Sequence, residues 1–266
     1  MLIAATGALL LLGQTAKAPD PPSSRWSLKI DPARCQLDRR NVDPPYVLSI
    51  DTTPGSDSYR LVIASKDIKG PGSLAPASLT FGPLQKSLTG LAGVGNRPDG
   101  IPFFRMEGVS PALLDDLANA DTLTIAIRSK VVAVVSLPGA GKAIEAFRRC
   151  GADQLVEWGA DAAQFAPGGR TPVALKDRDD WISNEELKAI AGRSRPDIDA
   201  DFRVAVSVAG VIDKCQAVDE GVEEDLRKMV CAALMKKRLF APGKNPSGAP
   251  VRGVATFRVR LIRISR

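Results

Sequence analysis

Segments in which every second residue is apolar recur along the first half of this chain. The clearest alternating sets are Trp26, Leu28, Ile30; Tyr46, Leu48, Ile50; Tyr59, Leu61, Ile63; and Leu123, Ile125, Ile127. This period predicts β-strands with one buried face. The 20 prolines and 23 glycines supply frequent turns. An antiparallel sheet is therefore favoured over a helical bundle.

Two further stretches complete the prediction for this region, one as a strand and the other as a loop. The continuous apolar run from Val131 to Leu137 predicts a central strand that forms a hairpin with residues 122–127. The glycine-rich stretch from Gly90 to Gly100 is typical of an exposed loop. The sheet is thus expected to place its most apolar strand in the middle.

Helical spacing predicts two helices in the same region. Residues 110–119 begin with Ser110 as the expected N-cap and Pro111 in the first turn. A second helix begins near Ala140, and Gly151 is the expected terminator. Residues 19–160 are therefore predicted to form a mostly antiparallel β domain with two short helices.

The last part of the chain has a different order of elements. Alternating valines predict a strand at 204–208, a turn, and a second strand at 211–218. An apolar stripe over 222–234 predicts a helix with Asp219 as N-cap, and residues 254–264 alternate as a final strand. The expected layout is ββαβ, and the fold class of the whole chain is α+β.

Changes in composition divide the chain into four parts. Residues 1–18 resemble a signal peptide, since Leu2 to Leu12 is apolar and Ala16-Lys17-Ala18 offers small residues for cleavage. Residues 161–180 are rich in Pro, Gly and Asp and predict a linker between domains at 19–160 and 181–266. Export to the periplasm follows from this interpretation, and membrane association is expected only if the first segment is retained.

The chain has no histidine, which excludes Ser-His-Asp and Cys-His catalysis and zinc sites that use imidazole. Paired carboxylates are the acid and base groups that remain, as in Asp115-Asp116 and Glu223-Glu224. A carboxylate-dependent hydrolase of the cell envelope is therefore one alternative, although adjacent side chains on a helix diverge. The chain is expected to be non-catalytic.

Two stretches come close to ligand-binding motifs. Residues 137–143 read Leu-Pro-Gly-Ala-Gly-Lys-Ala between a strand and a helix, but a phosphate loop needs glycine at Ser136 and Ser or Thr at Ala143. The aspartates of 197–201 alternate as in a calcium loop, but Phe202 stands where glycine is required. We therefore expect no nucleotide, no metal and no other cofactor, and a tight turn at the glycines.

The chain has four cysteines, Cys35, Cys150, Cys215 and Cys231. An even count in an exported protein indicates disulfides, and none of the spacings is the C-x-x-C of a redox or zinc site. Three pairings are possible. Cys35–Cys150 and Cys215–Cys231 are favoured because each would lie within one of the two domains.

The net charge of +6 arises mainly from residues 181–266. Basic side chains cluster at Lys236-Lys237-Arg238 and at Arg258, Arg260, Arg263 and Arg266. They fit a helix carboxyl end and a solvated strand face, or else a surface for an acidic partner or an anionic membrane. No base-stacking motif accompanies them, so nucleic acid is not an expected partner.

Residues 181–266 resemble the TonB carboxy-terminal domain family, in particular exported TonB-like proteins of alphaproteobacteria. The resemblance is carried by Val208-Ala209-Gly210-Val211-Ile212, Asp213-Lys214-Cys215, Cys231, Arg238-Leu239-Phe240-Ala241-Pro242 and Gly248-Ala249-Pro250-Val251. It implies a three-stranded antiparallel sheet with one helix, and binding of extended peptide at a sheet edge. An energy transducer with a retained amino-terminal anchor is the alternative within this family.

The final strand is the candidate binding element. Its central residues are Phe257, Arg258, Val259, Arg260 and Leu261. The expected partner is an envelope protein or extended peptide, possessing acidic groups for the arginines.

Overall fold

The structure is a computed structural model that describes residues 24–69, 72–193 and 197–262. The predicted signal peptide at 1–18 lies outside the described residues, as do Arg263 and Arg266 of the basic cluster. The described chain has an α+β fold, with a large antiparallel sheet followed by a small one.

The amino-terminal domain is built on one antiparallel sheet and two helices. Its elements are β1 (Ser24–Asp31), β2 (Arg34–Asn41), β3 (Tyr46–Thr52), β4 (Tyr59–Ala64), β5 (Ala75–Gly82), β6 (Lys86–Asn96), β7 (Pro102–Val109), α1 (Ala112–Asn119), β8 (Thr122–Ile127), β9 (Lys130–Ser136) and α2 (Ala140–Glu157). The described strands lie in the order β1-β2-β3-β4-β7-β6-β5-β8-β9. This confirms the α+β class expected for the region.

The apolar face of the large sheet packs on α1 and α2 in one core cluster. The Nε1 of Trp26 donates to the Pro138 carbonyl at 3.0 Å, and the Nε of Arg39 donates to the Ser136 carbonyl at 2.8 Å. These bonds join the β1–β2 side of the sheet to the end of β9. A continuous core is enclosed between the sheet and the helices.

The carboxy-terminal module has the predicted ββαβ order. Its elements, with those of the segment before it, are β10 (Val173–Ala174), α3 (Asn184–Arg193), β11 (Asp197–Val206), β12 (Ile212–Ala217), α4 (Glu224–Leu234), β13 (Phe240–Ala241), β14 (Gly243–Lys244), β15 (Pro250–Val251) and β16 (Gly253–Ile262). The main sheet has the order β12-β11-β16. One of its faces packs on α4, and the other faces the amino-terminal domain.

An aromatic cluster fills the core of this module. Trp181 is almost fully buried, and its ring lies 5.0 Å from that of Phe240 and 5.7 Å from that of Phe257. Phe257 stacks on Phe202 of the neighbouring strand, with ring centres 5.5 Å apart. The buried residues of β11, β16 and α4 complete one contiguous core.

The segment between the domains is folded. Residues Ala162–Phe165 and Arg178–Asp180 form short 3-10 helices, and β10 pairs with β13. The Asp161 amide donates to the Arg252 carbonyl at 2.9 Å. The segment expected as a linker is therefore hydrogen-bonded to the module.

The expectations for two strands were wrong. The run from Val131 to Leu137 is not central, because β9 pairs with β8 alone and is the last strand of the sheet. Val131 and Val134 are more than half exposed as a result. The stretch from Gly90 was expected as a loop, but β6 pairs there with both β5 and β7. A Cβ at Gly95 would lie 2.9 Å from the Phe103 ring, so neighbouring side chains occupy the space that glycine leaves.

Three predicted helix boundaries were also wrong. Helix α2 continues through Gly151 to Glu157, because buried Gln154 and Leu155 anchor its last turns. Pro111, not Ser110, is the N-cap of α1, and it makes no side-chain bond there.

Helix α4 begins at Glu224 with Glu223 as its N-cap. The Asp219 carboxylate, expected as the cap, instead accepts the backbone N–H of Asp201 at 3.4 Å and lies 3.6 Å from Arg34 of the amino-terminal domain. Its position is therefore determined by the contact between the domains.

Candidate functional site

Both disulfides lie within single domains. The structure bonds Cys35 to Cys150 and Cys215 to Cys231, which is the pairing that the sequence favours. The first fastens β2 to α2, with its Cα atoms 6.2 Å apart, and the second fastens β12 to α4, at 5.4 Å. Two disulfides are consistent with an oxidising compartment.

The final strand, β16, has two unlike faces. Phe257 and Val259 are buried against the module's own core, whereas Arg258 and Arg260 are exposed on the opposite face. Leu261 is paired in register with Ile198 of β11. Alternation along a strand produces this division, because successive side chains point to opposite sides of the sheet. Among residues 257–260, the two arginines are therefore the accessible side chains.

Arg258 is held by a carboxylate on the neighbouring strand. Its Nε and Nη2 both donate to Asp199 of β11, the latter at 2.8 Å. This pairing raises the pKa of Arg258 above its ordinary value. A forked contact of this kind fixes the orientation of a guanidinium more firmly than a single bond.

Arg260 reaches across to the amino-terminal domain. Its Nη1 lies 3.3 Å from the Glu107 carboxylate on β7, and its Nη2 lies 3.7 Å from Asp199. The acidic group that the sequence analysis expected on a partner is thus present within the chain. Both contacts are partly exposed, so an acidic partner could exchange with Glu107 at low energetic cost.

The outer edge of β16 is covered over its first half. The Thr256 amide donates to the Gly55 carbonyl at 3.2 Å, and the Thr256 carbonyl accepts from Arg178 Nη1 at 2.7 Å. The Arg252 carbonyl accepts the Asp161 amide. These contacts pair the outward backbone N–H and C=O groups of this part of the edge, where the two domains meet.

The second half of the same edge is open. In an antiparallel strand, alternate residues direct their backbone N–H and C=O to the same side. Because those of Thr256 point outward, those of Arg258 and Arg260 do as well. Among the described residues, neither has a backbone partner on that side. We call residues 257–262 of β16 the open edge.

A buried carboxylate lies behind the open edge, on the face of β11 that meets the amino-terminal domain. Asp201 is 8 % exposed and accepts from Thr53 Oγ1 at 2.7 Å and from Arg34 Nη2 at 3.3 Å. Nearby, Val254 packs with Leu155 of α2. The module therefore meets the amino-terminal domain through both a polar and an apolar contact.

The other groups considered from the sequence have separate surroundings, except that Asp199 contacts Arg258 and Arg260 of the open edge. Asp115 contacts Arg148, whereas its neighbour Asp116 is buried beside Lys86, so the two carboxylates have separate surroundings. Asp199 and Asp201 lie on β11 and contact arginines. Gly139 adopts a φ of 74° and forms the expected tight turn before α2.

Helix α3 was missed by the sequence analysis although its signal was present. Ser183 and Glu186 form a capping box, in which the Ser183 amide donates to the Glu186 carboxylate at 2.7 Å and the Glu186 amide donates to Ser183 Oγ at 3.2 Å. The bond from the Ser183 backbone lowers the pKa of Glu186. Lys237 also binds this carboxylate and so joins α3 to the end of α4.

None of the helices in the described part of the chain is long and apolar enough to cross a membrane. Comparison of the chain with protein-family models, with curated proteins and with solved structures gives no match in any of the three. Function is therefore inferred from the hydrogen bonds, burial and charges of the carboxy-terminal module.

Proposed function

We propose that this protein is an exported, non-catalytic protein of the periplasm whose carboxy-terminal module binds an extended segment of an envelope protein. The segment adds to the small sheet as a further strand along the open edge. The observation that supports this proposal is the outward-facing backbone of Arg258 and Arg260, which has no backbone partner on that side among the described residues. The resemblance of residues 181–266 to TonB carboxy-terminal domains suggests the same mode of binding.

Strand addition suits this edge for physical reasons. Each backbone hydrogen bond gained contributes about 0.5–1.5 kcal/mol net, so a few bonds together give weak to moderate affinity. The arginines flank the edge and attract acidic side chains of the incoming segment. Arg258 and Arg260 favour an acidic partner. When the edge is empty, their contacts with Asp199 and Glu107 keep their charges paired.

The proposed location is supported by the disulfides together with residues 1–18, whose sequence resembles a signal peptide. Both bonds staple a strand to a helix, and such bonds persist in oxidising compartments. The periplasm is the compartment that combines this condition with the proposed envelope partner.

The test uses backbone chemistry at Arg260. Peptides that bind the full chain are first selected from a library of extended peptides, and their affinities are then measured for two variants. Arg260→Pro removes the outward N–H and is tolerated on a strand edge, whereas Arg260→Ser keeps that N–H and removes the charge. We expect a loss of at least about tenfold for Arg260→Pro and a smaller loss for Arg260→Ser.

Two results would overturn the proposal. If Arg260→Pro binds every selected peptide as tightly as the unmodified chain, the open edge is not the site. If Arg260→Ser loses as much affinity as Arg260→Pro, recognition is through the side chain and no strand is added. Thermal unfolding of both variants shows whether either change disturbs the module.

A further inference from the structure

A cleft of about 490 Å³ opens where the two domains and the segment between them meet. Its walls come from α1, α2 and the loop after β3 on one side, and from β10, β13 and the start of β16 on the other. Its size is within the range of pockets that hold small organic ligands and too small for a folded partner. It is separate from the open edge of β16.

The walls of the cleft are mainly apolar. Phe147, Leu114 and Leu155 contribute from the amino-terminal domain, and Phe240 and Val254 contribute from the module. All five belong to buried clusters, so the walls are fixed by the packing of the two domains. An apolar body entering here would be surrounded by preformed surface.

Tyr59 supplies a polar group at the side of this surface. Its ring packs beside Phe147, with ring centres 6.2 Å apart. Within residues 24–69, 72–193 and 197–262, its hydroxyl has no hydrogen-bond partner. Burial raises the pKa of Tyr59, and smaller effects come from the Arg148 charge, which lowers it, and the Asp115 charge, which raises it, so the hydroxyl is protonated at neutral pH and can donate a hydrogen bond. A half-buried donor without an acceptor suits an oxygen of a ligand.

The charge on the cleft is positive. Among the described residues that line it, Arg148 and Arg178 are cations and Asp57 is the one acid. Arg178 is engaged by Asp57 at 3.0 Å and by the Thr256 carbonyl. In the described part of the chain, Arg148 forms one ion pair, from Nη2 to Asp115 at 2.5 Å, and about half of its side chain is exposed. Its other N–H groups can serve a second acceptor, since a guanidinium has five.

We propose that this cleft binds a small carboxylic acid with an apolar body, such as a medium-chain fatty acid. The apolar body lies against Phe147 and Leu155, and the carboxylate accepts from Arg148 and from the Tyr59 hydroxyl. Because the walls come from both domains, the bound acid strengthens their association. This proposal does not depend on peptide binding at the open edge.

The test measures binding of octanoate and of 1-octanol to the full chain by calorimetry. The two molecules share an apolar chain, and only octanoate carries a charge. We expect octanoate to bind with a Kd below about 1 mM and octanol to bind about tenfold more weakly. Arg148→Gln should weaken octanoate and leave octanol unchanged, because only octanoate is charged, and Tyr59→Phe should also weaken octanoate.

A matched pair of glycine variants locates the site. Gly151 lines the cleft from α2, and an added Cβ there meets nothing within 4 Å, so Gly151→Leu fills the cleft without a clash at its Cβ. Gly192 in α3 is equally open and lies outside the cleft, so Gly192→Leu is the control. We expect at least a tenfold loss of octanoate affinity for Gly151→Leu, which is about 1.4 kcal/mol, and none for Gly192→Leu.

Three outcomes would overturn the proposal. They are no octanoate binding at about 1 mM, equal binding of octanoate and octanol, and unchanged octanoate affinity in Gly151→Leu. Circular dichroism of each variant separates a filled cleft from a misfolded chain. Failure here leaves the open-edge proposal intact, because the peptide assay uses a different surface and different variants.

Discussion

The two domains differ in how they satisfy their buried charges. In the amino-terminal domain, each buried aspartate among the described residues has a basic partner within that domain; the pairs are Asp38 with Lys29, Asp51 with Arg60, and Asp116 with Lys86. In the module, buried Asp201 is satisfied by Thr53 and Arg34, which belong to the other domain. The larger domain is thus complete by itself, whereas the smaller one relies on its neighbour.

The physical cause is a difference in size. A sheet of nine strands around two helices encloses enough space for its own polar network, whereas a three-stranded sheet has one face on its helix and must cover the other. In this protein the second face of the small sheet is covered by the larger domain near Asp201 and Val254. Separation of the domains would expose Val254 and leave Asp201 without Arg34 and Thr53.

The largest expected effect concerns the disulfides. Cys35–Cys150 spans 115 residues and Cys215–Cys231 spans 16, so the chain-entropy model gives about 5 and about 3 kcal/mol of stabilisation respectively. Replacing both cysteines of a pair by Ala should therefore cost the large domain about 2 kcal/mol more than the module. Urea unfolding of the two double variants measures this difference. An equal loss of stability in the two double variants would show that the longer loop closed by Cys35–Cys150 gives the larger domain no extra stability.

A core substitution tests the independence of the larger domain. Trp181→Ala removes the centre of the module's aromatic cluster and should cost about 4 kcal/mol, since a buried ring leaves a cavity. Scanning calorimetry should show the module unfolding earlier while the amino-terminal domain keeps its own transition. A single transition shifted as a whole would contradict the claim that the larger domain is complete by itself.

The contact between the domains can be measured with a double-mutant cycle of Arg34→Ala and Asp201→Ala. Both side chains are more than two thirds buried, so we expect a coupling of about 1–2 kcal/mol. The matched control is Glu145 with Arg149 on α2, an exposed pair that should give less than about 0.5 kcal/mol. Equal coupling in the two cycles would show that Asp201 contributes no more than a surface charge.

The smallest effect is a dependence on pH within the larger domain. Burial would raise the pKa of Asp38, but bonds from Gln36, Lys29 and Ser49 outweigh it and hold the pKa below 3.8. The unfolded chain then binds the extra proton, so Asp38 adds stability above that pH, and this contribution is lost as the pH falls below it. The urea midpoint should therefore fall less between neutral pH and about pH 3 in Asp38→Asn than in the unmodified chain. An unchanged pH dependence in that variant would contradict this role.

Much of the fold was predictable because local patterns and tertiary packing agree. Alternation placed the strands around Leu48, Leu61 and Ile125, and each of these residues is fully buried. The pattern failed at β6, where the side chains of Met106 and Phe103 occupy the space beside Gly90 and Gly95. Those side chains come from a neighbouring strand, so no local signal reveals this contact.

The candidate site was likewise predictable from the sequence only in part. Alternation along β16 predicts that Arg258 and Arg260 are exposed while Phe257 is buried, as the structure has it. The contact of Arg260 with Glu107 joins residues 153 positions apart, and the cover over Thr256 comes from Gly55 and Arg178. Such contacts depend on how the domains meet, which residue order alone does not specify.

The arrangement of the disulfides also bears on how the chain is made. The four cysteines bond in the order in which they occur, first with second and third with fourth. As the chain emerges from its amino terminus, the next cysteine to appear after Cys35 or after Cys215 is its native partner. An oxidant that acts on successive thiols therefore forms the correct bonds directly. No rearrangement of mispaired bridges is then needed, and the first domain can be cross-linked before the second is complete.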